Sequence, residues 1–258
     1  MAVVAADIVV YGSSVMPIDD VTTQIGGAID TSKKMTFTDI APAGPVEVLS
    51  SAAGDTTPRA ITVDYIGTDG VLASETQVLT GTTAVIFAAT MDAILRVRQS
   101  AGTNHVGIIT LRKSVAGATL VTMEITPFVI LDVRRPFYNA IANPTGGVTK
   151  TYYEKVFIRN NNAVSSISDS TVIEQLDVNA VVDFALETVL GGTTDNGVGN
   201  NRQVSPAGFV FDSTTKNVAN GKVLSALSAQ GMWMKLTLAG GQSPADTTWT
   251  VRLQGIAA

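Results

Sequence analysis

The chain has 258 residues, of which 45% are hydrophobic and 15% are charged, with a formal net charge of −5 and no cysteine. The apolar fraction is large enough to fill one or two hydrophobic cores, which excludes a disordered chain. The absence of cysteine excludes disulfides, thiolate catalysis and cysteine-ligated metals. Lysines and arginines are scattered rather than gathered into a basic stripe, so no nucleic-acid partner is predicted.

No apolar run reaches the roughly 18 residues of a membrane-spanning helix, so the sequence predicts no membrane partner. The beginning of the chain carries Asp7 inside its apolar run and no cationic residue before it. That pattern differs from a signal peptide, so no signal peptide is expected. The absence of cysteine fits synthesis in the cytoplasm.

Alternation of apolar and polar residues dominates the chain. Ile61, Val63 and Tyr65 alternate with Thr62 and Asp64. In a strand, this period of two places the apolar set on one face and the polar set on the other. The same alternation recurs in the ranges 95–98, 121–126 and 249–254. Its presence in both halves predicts an all-β fold of antiparallel sheets, each with one buried face.

Turn dipeptides separate these runs. Asp69-Gly70 lies between 61–66 and the strand-like 71–79, and Asn220-Gly221 lies between Val218 and Val223. Both dipeptides tolerate the positive φ angles of a tight turn, so each predicts a hairpin.

The segment 171–190 is ambiguous because it lacks Gly and Pro and is long enough for a helix. Asn179, Asp183 and Glu187 recur every four residues, as on a polar helical face. Apolar and polar residues nevertheless alternate from 182 to 187. With strands on both sides, we interpret the segment as two strands, around 170–176 and 181–186.

A domain boundary is predicted at 134–151, where Pro136, Pro144 and Gly146-Gly147 interrupt the periodicity. We expect this stretch to be an exposed linker or junction. The sequence therefore predicts two antiparallel β-sandwich-like domains in tandem, an N-terminal β domain (1–140) and a C-terminal β-sandwich domain (141–258). A second loop-rich region, 191–206, is expected to be a long surface loop.

His105 is the single histidine, and histidine is the usual general base near neutral pH. It follows Gly102, Thr103 and Asn104, so a turn between two strands is predicted around it. No nucleophile-elbow motif accompanies it. We therefore interpret His105 as an exposed loop residue and expect no catalytic site.

No metal site is predicted. Asp177, Asn179 and Asp183 resemble the start of a calcium loop, but Val181 and Val182 occupy the positions that need an oxygen ligand and a glycine. The pairs Asp19-Asp20 and Asp195-Asn196 are interpreted as solvated turn residues, with calcium binding through distant partners as the alternative.

No cofactor is predicted either. Gly197 and Gly199 begin a dinucleotide fingerprint, but Arg202 replaces its third glycine and no strand–turn–helix unit surrounds it. We interpret 197–202 as a flexible loop.

The apolar N-terminus is a candidate contact region. It has the composition of a strand that pairs with the sheet edge of a neighbouring subunit, or equally of an edge strand within its own fold. Its candidate contact residues are Val3, Val4, Ile8, Val9 and Val10.

Trp233 is a second candidate contact residue. In a strand it shares a face with Lys235 and Thr237, whereas the other face carries Met232, Met234, Leu236 and Leu238. This predicts Trp233 on an outer face or at an interface, or equally as a partly buried structural tryptophan.

Several stretches of the chain combine short strands with turns rich in glycine and threonine. They are 26–31, 35–40, 67–70, 74–76, 79–85, 153–160 and 231–238. In this order the set resembles a family of tailed-bacteriophage virion structural proteins with two β-rich halves. The long 191–206 region departs from that pattern.

The resemblance implies a noncatalytic virion component, made in the host bacterial cytoplasm. We expect capsid decoration or cement, in a homo-oligomer that makes many contacts with other virion proteins. Two alternatives stay open. One is a neck, tail or baseplate protein, and the other is a receptor- or glycan-binding β-sandwich module, which would need exposed aromatic residues or a calcium site.

Overall fold

The computed structural model describes residues 2–18, 24–35, 40–140, 147–242 and 249–257. Its regular structure is nearly all β, as predicted. The predicted acidic pair Asp19-Asp20 and residues 141–146 of the predicted linker lie outside the described residues. The strands are β1 (Ile8–Val15), β2 (Gly26–Lys34), β3 (Gly44–Ser50), β4 (Ala60–Gly67), β5 (Leu72–Val78), β6 (Val85–Ala101), β7 (Ile109–Lys113), β8 (Thr119–Met123), β9 (Asp132–Arg134), β10 (Lys150–Asn160), β11 (Ile167–Asp177), β12 (Val182–Leu186), β13 (Lys216–Asn217), β14 (Ala229–Leu238) and β15 (Trp249–Ala257); a 3-10 turn (Ala5–Asp7) and a helical turn α1 (Ala219–Lys222) accompany them.

The chain forms two compact units that differ from the predicted division. The inserted unit is Thr31–Tyr138, and the terminal unit combines Met1–Asp30 with Asn139–Ala258. One boundary therefore lies close to the predicted one, but the first thirty residues belong with the C-terminal half. The reason is that β1 pairs antiparallel with β10, so that Ile8 lies opposite Asn160.

The terminal unit is built from two sheets. In the first, the strand order is β12-β14-β10-β1, followed by the beginning of β2. The second has the order β13-β11-β15. Phe184 of β12 and Trp249 of β15 lie with ring centroids 6.1 Å apart, which brings the two sheets together. This arrangement is the sandwich-like packing that the sequence predicted.

The inserted unit has β6 at its centre. This long strand pairs antiparallel with β3, β4 and β9. β7 and β8 extend the sheet from β3, and β5 extends it from β4. One pairing departs from the predicted antiparallel pattern, because β2 runs parallel to β9 at Lys33 and Lys34.

The local predictions made from period two in 171–190 and from Asp69-Gly70 are confirmed, whereas the one made from Asn220-Gly221 is not. The ambiguous 171–190 segment forms the end of β11 and all of β12. Asp69-Gly70 joins β4 to β5, with Gly70 at φ 75°. The predicted hairpin at Asn220-Gly221 is wrong. Both residues have positive φ, but the segments before and after them pair with β11 rather than with each other.

The alternation in β4 is confirmed, but its polar face is not open to solvent. Thr62 and Asp64 are buried together with their apolar neighbours. The Thr62 hydroxyl lies 2.7 Å from that of Thr76, and Ser74 donates to the Asp64 carboxylate. Cross-strand hydrogen bonds therefore satisfy the polar set inside the fold.

The two units give matched tests of this organisation. Tyr11 of β1 is buried, and its hydroxyl accepts a hydrogen bond from Asn161. We expect Tyr11→Ala to lower the free energy of unfolding by about 3 kcal/mol, because a large aromatic side chain leaves the core. In hydrogen exchange, β10 and β14 should lose protection while β4 and β6 keep theirs. Tyr65→Ala in β4 should have the reverse effect, and equal losses in both units would contradict the division.

Candidate functional site

Trp233 lies in the core of the terminal unit, which corrects the prediction of an outer-face residue. Its side chain is fully buried and packs with Ile25, Tyr153 and Ala185. Phe209, from the segment after the 191–206 loop, also packs against it, with its ring centroid 6.0 Å from that of Trp233. The alternation predicted two faces correctly, but distant segments cover the one that carries Trp233. Its side chain therefore offers no surface to a partner.

The N-terminal candidates divide into two groups. The first group pairs with β10 of the same chain and consists of Ile8, Val9 and Val10. These residues therefore form a strand within their own fold, which was the alternative to pairing with a neighbouring subunit. Because β2 lies on the other side of β1, that strand is not an edge available to a neighbour. Val3 is half-buried and Val4 is exposed, so a contact role for these two residues stays a prediction.

His105 is buried, whereas the sequence predicted an exposed loop residue. Its Nδ1 lies 2.6 Å from the carbonyl oxygen of Gly107, and its Nε2 lies 2.7 Å from that of Ile130. Both ring nitrogens therefore face main-chain carbonyl oxygens. The polar residues before His105 do lie at the surface, but its own side chain turns inward beneath them.

A buried carboxylate, Asp55, holds the loop that carries His105. It accepts hydrogen bonds from the Ser50 hydroxyl at 2.6 Å and from the amides of Val106 and Gly107 at 3.0 and 2.9 Å. Burial alone would raise the pKa of Asp55. The hydrogen bonds, together with the Arg59 guanidinium at 3.4 Å, outweigh burial and lower that pKa below its usual value.

The residue types of a catalytic triad thus meet in the inserted unit, but their hydrogen bonds differ from those of a triad. In a triad the histidine takes the proton of the hydroxyl and the carboxylate orients the histidine. Here the Ser50 hydroxyl donates to Asp55, and the His105 ring faces main-chain carbonyls. The arrangement fixes the loop between β6 and β7.

Arg134 also corrects a prediction, because it belongs to the buried strand β9 rather than to an exposed linker. Its guanidinium lies 5.5 Å from the centroid of the Tyr138 ring, and Arg96 lies at the same distance. Arg96 donates to both carboxylate oxygens of Asp132, at 2.9 and 2.6 Å. Burial would lower the pKa of Arg96, but the Asp132 carboxylate outweighs it and raises that pKa.

The most elaborate polar cluster surrounds Lys155 of β10, which is fully buried. Its ammonium lies 2.6 Å from Oε1 of Glu187. It also donates to the carbonyl oxygens of Gly27, Gly192 and Thr194 at 3.0, 2.8 and 2.9 Å. Four oxygens therefore replace the water that the ammonium loses on folding.

Aromatic rings and further donors complete this cluster. The Lys155 ammonium lies 5.0 Å from the centroid of Phe157 and 5.5 Å from that of Trp233. Trp233 Nε1 and the Thr194 hydroxyl donate to the Glu187 carboxylate at 3.3 and 3.0 Å. Burial is the largest influence on the pKa of Lys155 and lowers it, although Glu187 and Asp195 oppose that change.

A glycine makes room for the ion pair. Lys155 and Glu187 reach each other across β14, over Gly231. A Cβ on Gly231 would lie 2.6 Å from Glu187 Cγ and 3.3 Å from Lys155 Cε. Sequence reasoning missed this cluster. The available signal was Lys155 itself, which shares its strand face with the apolar Tyr153 and Phe157.

The 191–206 region is a surface loop, as predicted, but it is hydrogen-bonded to the core of the terminal unit. The buried Asn196 side chain accepts from the Ile25 amide at 2.9 Å and donates to the Asn201 carbonyl at 2.6 Å. Arg202 is fully buried. Its guanidinium donates to the side-chain oxygen of Asn139 at 2.6 Å and lies 5.1 Å from the centroid of the Tyr152 ring. The interpretation of 197–202 as a simple flexible loop is therefore incomplete.

The predicted acidic turn residues have local roles. Asp177 accepts from the Val182 amide at 2.7 Å, and Asp195 accepts from the Gly197 amide at 2.8 Å. Across the described residues, no group of three or more His, Asp or Glu side chains is placed to hold a metal ion. Within the same part of the chain, no helix has the length and apolarity of a membrane span.

Comparison with known proteins identifies no family. No family model matches the chain, and no curated protein matches it significantly. The crystal structure of the infectious bursal disease virus VP2 subviral particle is 10% identical over 98% of this chain and 71% of that one, with a TM-score of 0.15. A mutant VP2 of the same virus is 12% identical over 98% and 68%, also at 0.15. TM-scores this low do not show a shared fold.

His105→Ala should destabilise the protein by about 2 kcal/mol, because it leaves buried carbonyl oxygens without a partner. Asn104→Ala is the matched control, since that side chain is exposed one residue away. It should change the free energy of unfolding by less than about 0.5 kcal/mol. Urea denaturation measures both variants, and equal stability of the two would contradict the structural role of His105.

Lys155→Met should cost about 3 to 5 kcal/mol, because the Glu187 carboxylate stays buried without its cation. The double variant Lys155→Met/Glu187→Met removes both charges and should recover part of that loss. Denaturation followed by tryptophan fluorescence compares the variants. A single variant as stable as the natural protein would show that the pair is not coupled.

Proposed function

We propose that this chain is a noncatalytic structural protein of a tailed-bacteriophage particle, made in the host bacterial cytoplasm and assembled as capsid decoration or cement. The strand and turn motifs of the sequence resemble those of virion structural proteins with two β-rich halves, which supports this role. In it, the protein acts as a homo-oligomer through many contacts with neighbouring virion proteins.

The polar chemistry of the fold supports a noncatalytic role, and this observation carries the proposal. His105, Asp55, Lys155 and Glu187 are side chains that enzymes use for acid–base or nucleophilic chemistry. Each is buried, and each is hydrogen-bonded to the protein's own main chain or to another of its side chains. These groups hold loops and strands in place, which is a structural role.

The surface supports a role in assembly. The described residues include many exposed large apolar side chains, while charged residues make up only 15% of the sequence. The centres of protein interfaces are likewise depleted of charge. Contacts of modest area hold a subunit on a symmetric shell when many form together. The most exposed of these residues are Val115, Val148, Val164, Val198 and Val210.

The aromatic residues favour the structural proposal over a glycan-binding module. A sugar platform needs several aromatic rings open to solvent. In the terminal unit Tyr153 and Trp233 are buried, and Phe209 and Phe211 are half-buried against them. These rings fill a core instead of lining an open face.

Quantitative mass spectrometry of purified particles tests the proposal. We expect a copy number close to that of the major capsid protein, because decoration follows the symmetry of the shell. The copy number of a single ring would instead place the protein at the neck, tail or baseplate. Absence from intact particles would overturn the virion role.

A further inference from the structure

We propose that Asn220-Gly221 is a site of spontaneous deamidation in the folded protein, and that the fold protects Asn196-Gly197, the same dipeptide in the same unit. An asparagine that precedes glycine is prone to this reaction, because glycine has no side chain to obstruct the attack of its own amide nitrogen on the asparagine. The sequence contains the pair twice. The dipeptide is therefore equal at the two sites, and the tertiary structure decides which one reacts.

The reaction needs only water as a co-reactant. The Gly221 nitrogen loses its proton to solvent base and attacks Cγ of Asn220, and the bond from Cγ to the side-chain nitrogen breaks so that ammonia leaves. Water then opens the cyclic imide at either of its two carbonyl carbons. Opening at Cγ gives aspartate, whereas opening at the main-chain carbonyl gives isoaspartate, in which the chain runs through Cβ. Either product adds one negative charge to a chain whose formal net charge is −5.

The turn that carries Asn220 is open to solvent. Asn220, Gly221 and Lys222 of α1 are exposed, and their φ angles are all positive, at 57°, 65° and 66°. Among the described residues, no hydrogen bond from outside this turn reaches the Asn220 side chain or the Gly221 amide. Water and base therefore have access to both reacting groups.

Ring closure requires the main chain at Asn220 to rotate, because its ψ of 49° directs the Gly221 nitrogen away from the side chain. Two long main-chain hydrogen bonds oppose this rotation. Lys222 donates to Val218 at 3.2 Å, and Val223 donates to Asn220 at 3.3 Å. The left-handed conformation of Asn220 is itself unfavourable for a residue with a Cβ atom, so leaving it costs little.

The segments on either side of α1 are anchored to β11, so the reaction is confined to the turn. The Val218 amide donates to the Ser170 carbonyl at 3.0 Å, and Leu224 and Ile167 exchange main-chain hydrogen bonds at 2.9 and 3.0 Å. The isoaspartate product lengthens the main chain by one methylene group between these anchors. We therefore expect the modified protein to stay folded.

Asn196 is held in place together with the nitrogen that would attack it. Its side chain is buried, accepts from the Ile25 amide at 2.9 Å and donates to the Asn201 carbonyl at 2.6 Å. The Gly197 amide donates to the Asp195 carboxylate at 2.8 Å. Neither group can approach the other unless the loop opens, and a buried, hydrogen-bonded segment opens rarely in a native protein.

Peptide mapping by mass spectrometry tests the proposal on the purified full chain, incubated at mildly alkaline pH and sampled over time. We expect Asn220 to be converted to aspartate and isoaspartate at least about tenfold faster than Asn196. An opening free energy of about 1.4 kcal/mol already suppresses a reaction tenfold. In urea the two rates should become similar, because both dipeptides are then equally accessible.

Asn220→Gln is the matched control, because its side chain is longer by one methylene group and closes the larger ring far more slowly. It should abolish the acidic form that isoelectric focusing detects in the aged natural protein. Asn220→Asp supplies the standard with which that acidic form should migrate.

No conversion of Asn220, or conversion of Asn196 at a similar rate in the folded chain, would overturn the proposal. A difference in rate that persists in urea would also overturn it, since the neighbouring residues and not the fold would then account for the difference. These outcomes are independent of the virion role, because the reaction involves only this chain and water.

Discussion

The buried ion pair between Lys155 and Glu187 is the interaction on which the terminal unit depends. Removing two such charges from water costs several kcal/mol for each ion, so the pair is stable only when further hydrogen bonds replace hydration. The main chain supplies them at Gly27, Gly192 and Thr194. One ammonium therefore joins the beginning of β2, the central strands and the 191–206 loop. Gly231 of β14, the strand between them, must be a glycine for the two side chains to meet.

In the inserted unit, hydrogen bonds likewise stabilise buried charged groups, although other residues are involved. The Asp55 carboxylate fixes the loop between β6 and β7 by accepting hydrogen bonds from the amides of that loop, and His105 faces main-chain carbonyls. Asp132 and Arg96 form a bidentate pair beside Tyr138. In both units, residue types that are usual in active sites connect loops to strands. Residue type alone therefore says little about chemistry in this protein, and the partners of each group decide its role.

Much of the fold was predictable from the sequence because strands and turns produce residue patterns that span only a few positions. The alternation in β4, the two strands within 171–190 and the turn at Asp69-Gly70 all depend on residues within a few positions of one another. Period two assigns side chains to opposite faces whatever the rest of the chain does. The all-β class follows from the repetition of that pattern, and the position of the long loop before Phe209 follows from a local richness in Gly, Asn and Thr.

What lies against each face is decided only in the tertiary structure. Period two separated Trp233 from its neighbours but could not show that Ile25 and Phe209 would cover it. The burial of His105 depends in the same way on Ile130, which is remote in sequence. The pairing of β1 with β10 joins residues about 150 positions apart, which no local pattern encodes. The sequence by itself determined the strands, the turns and their faces; the tertiary structure decided which segments meet, because burial and long-range pairing are properties of the whole packed chain.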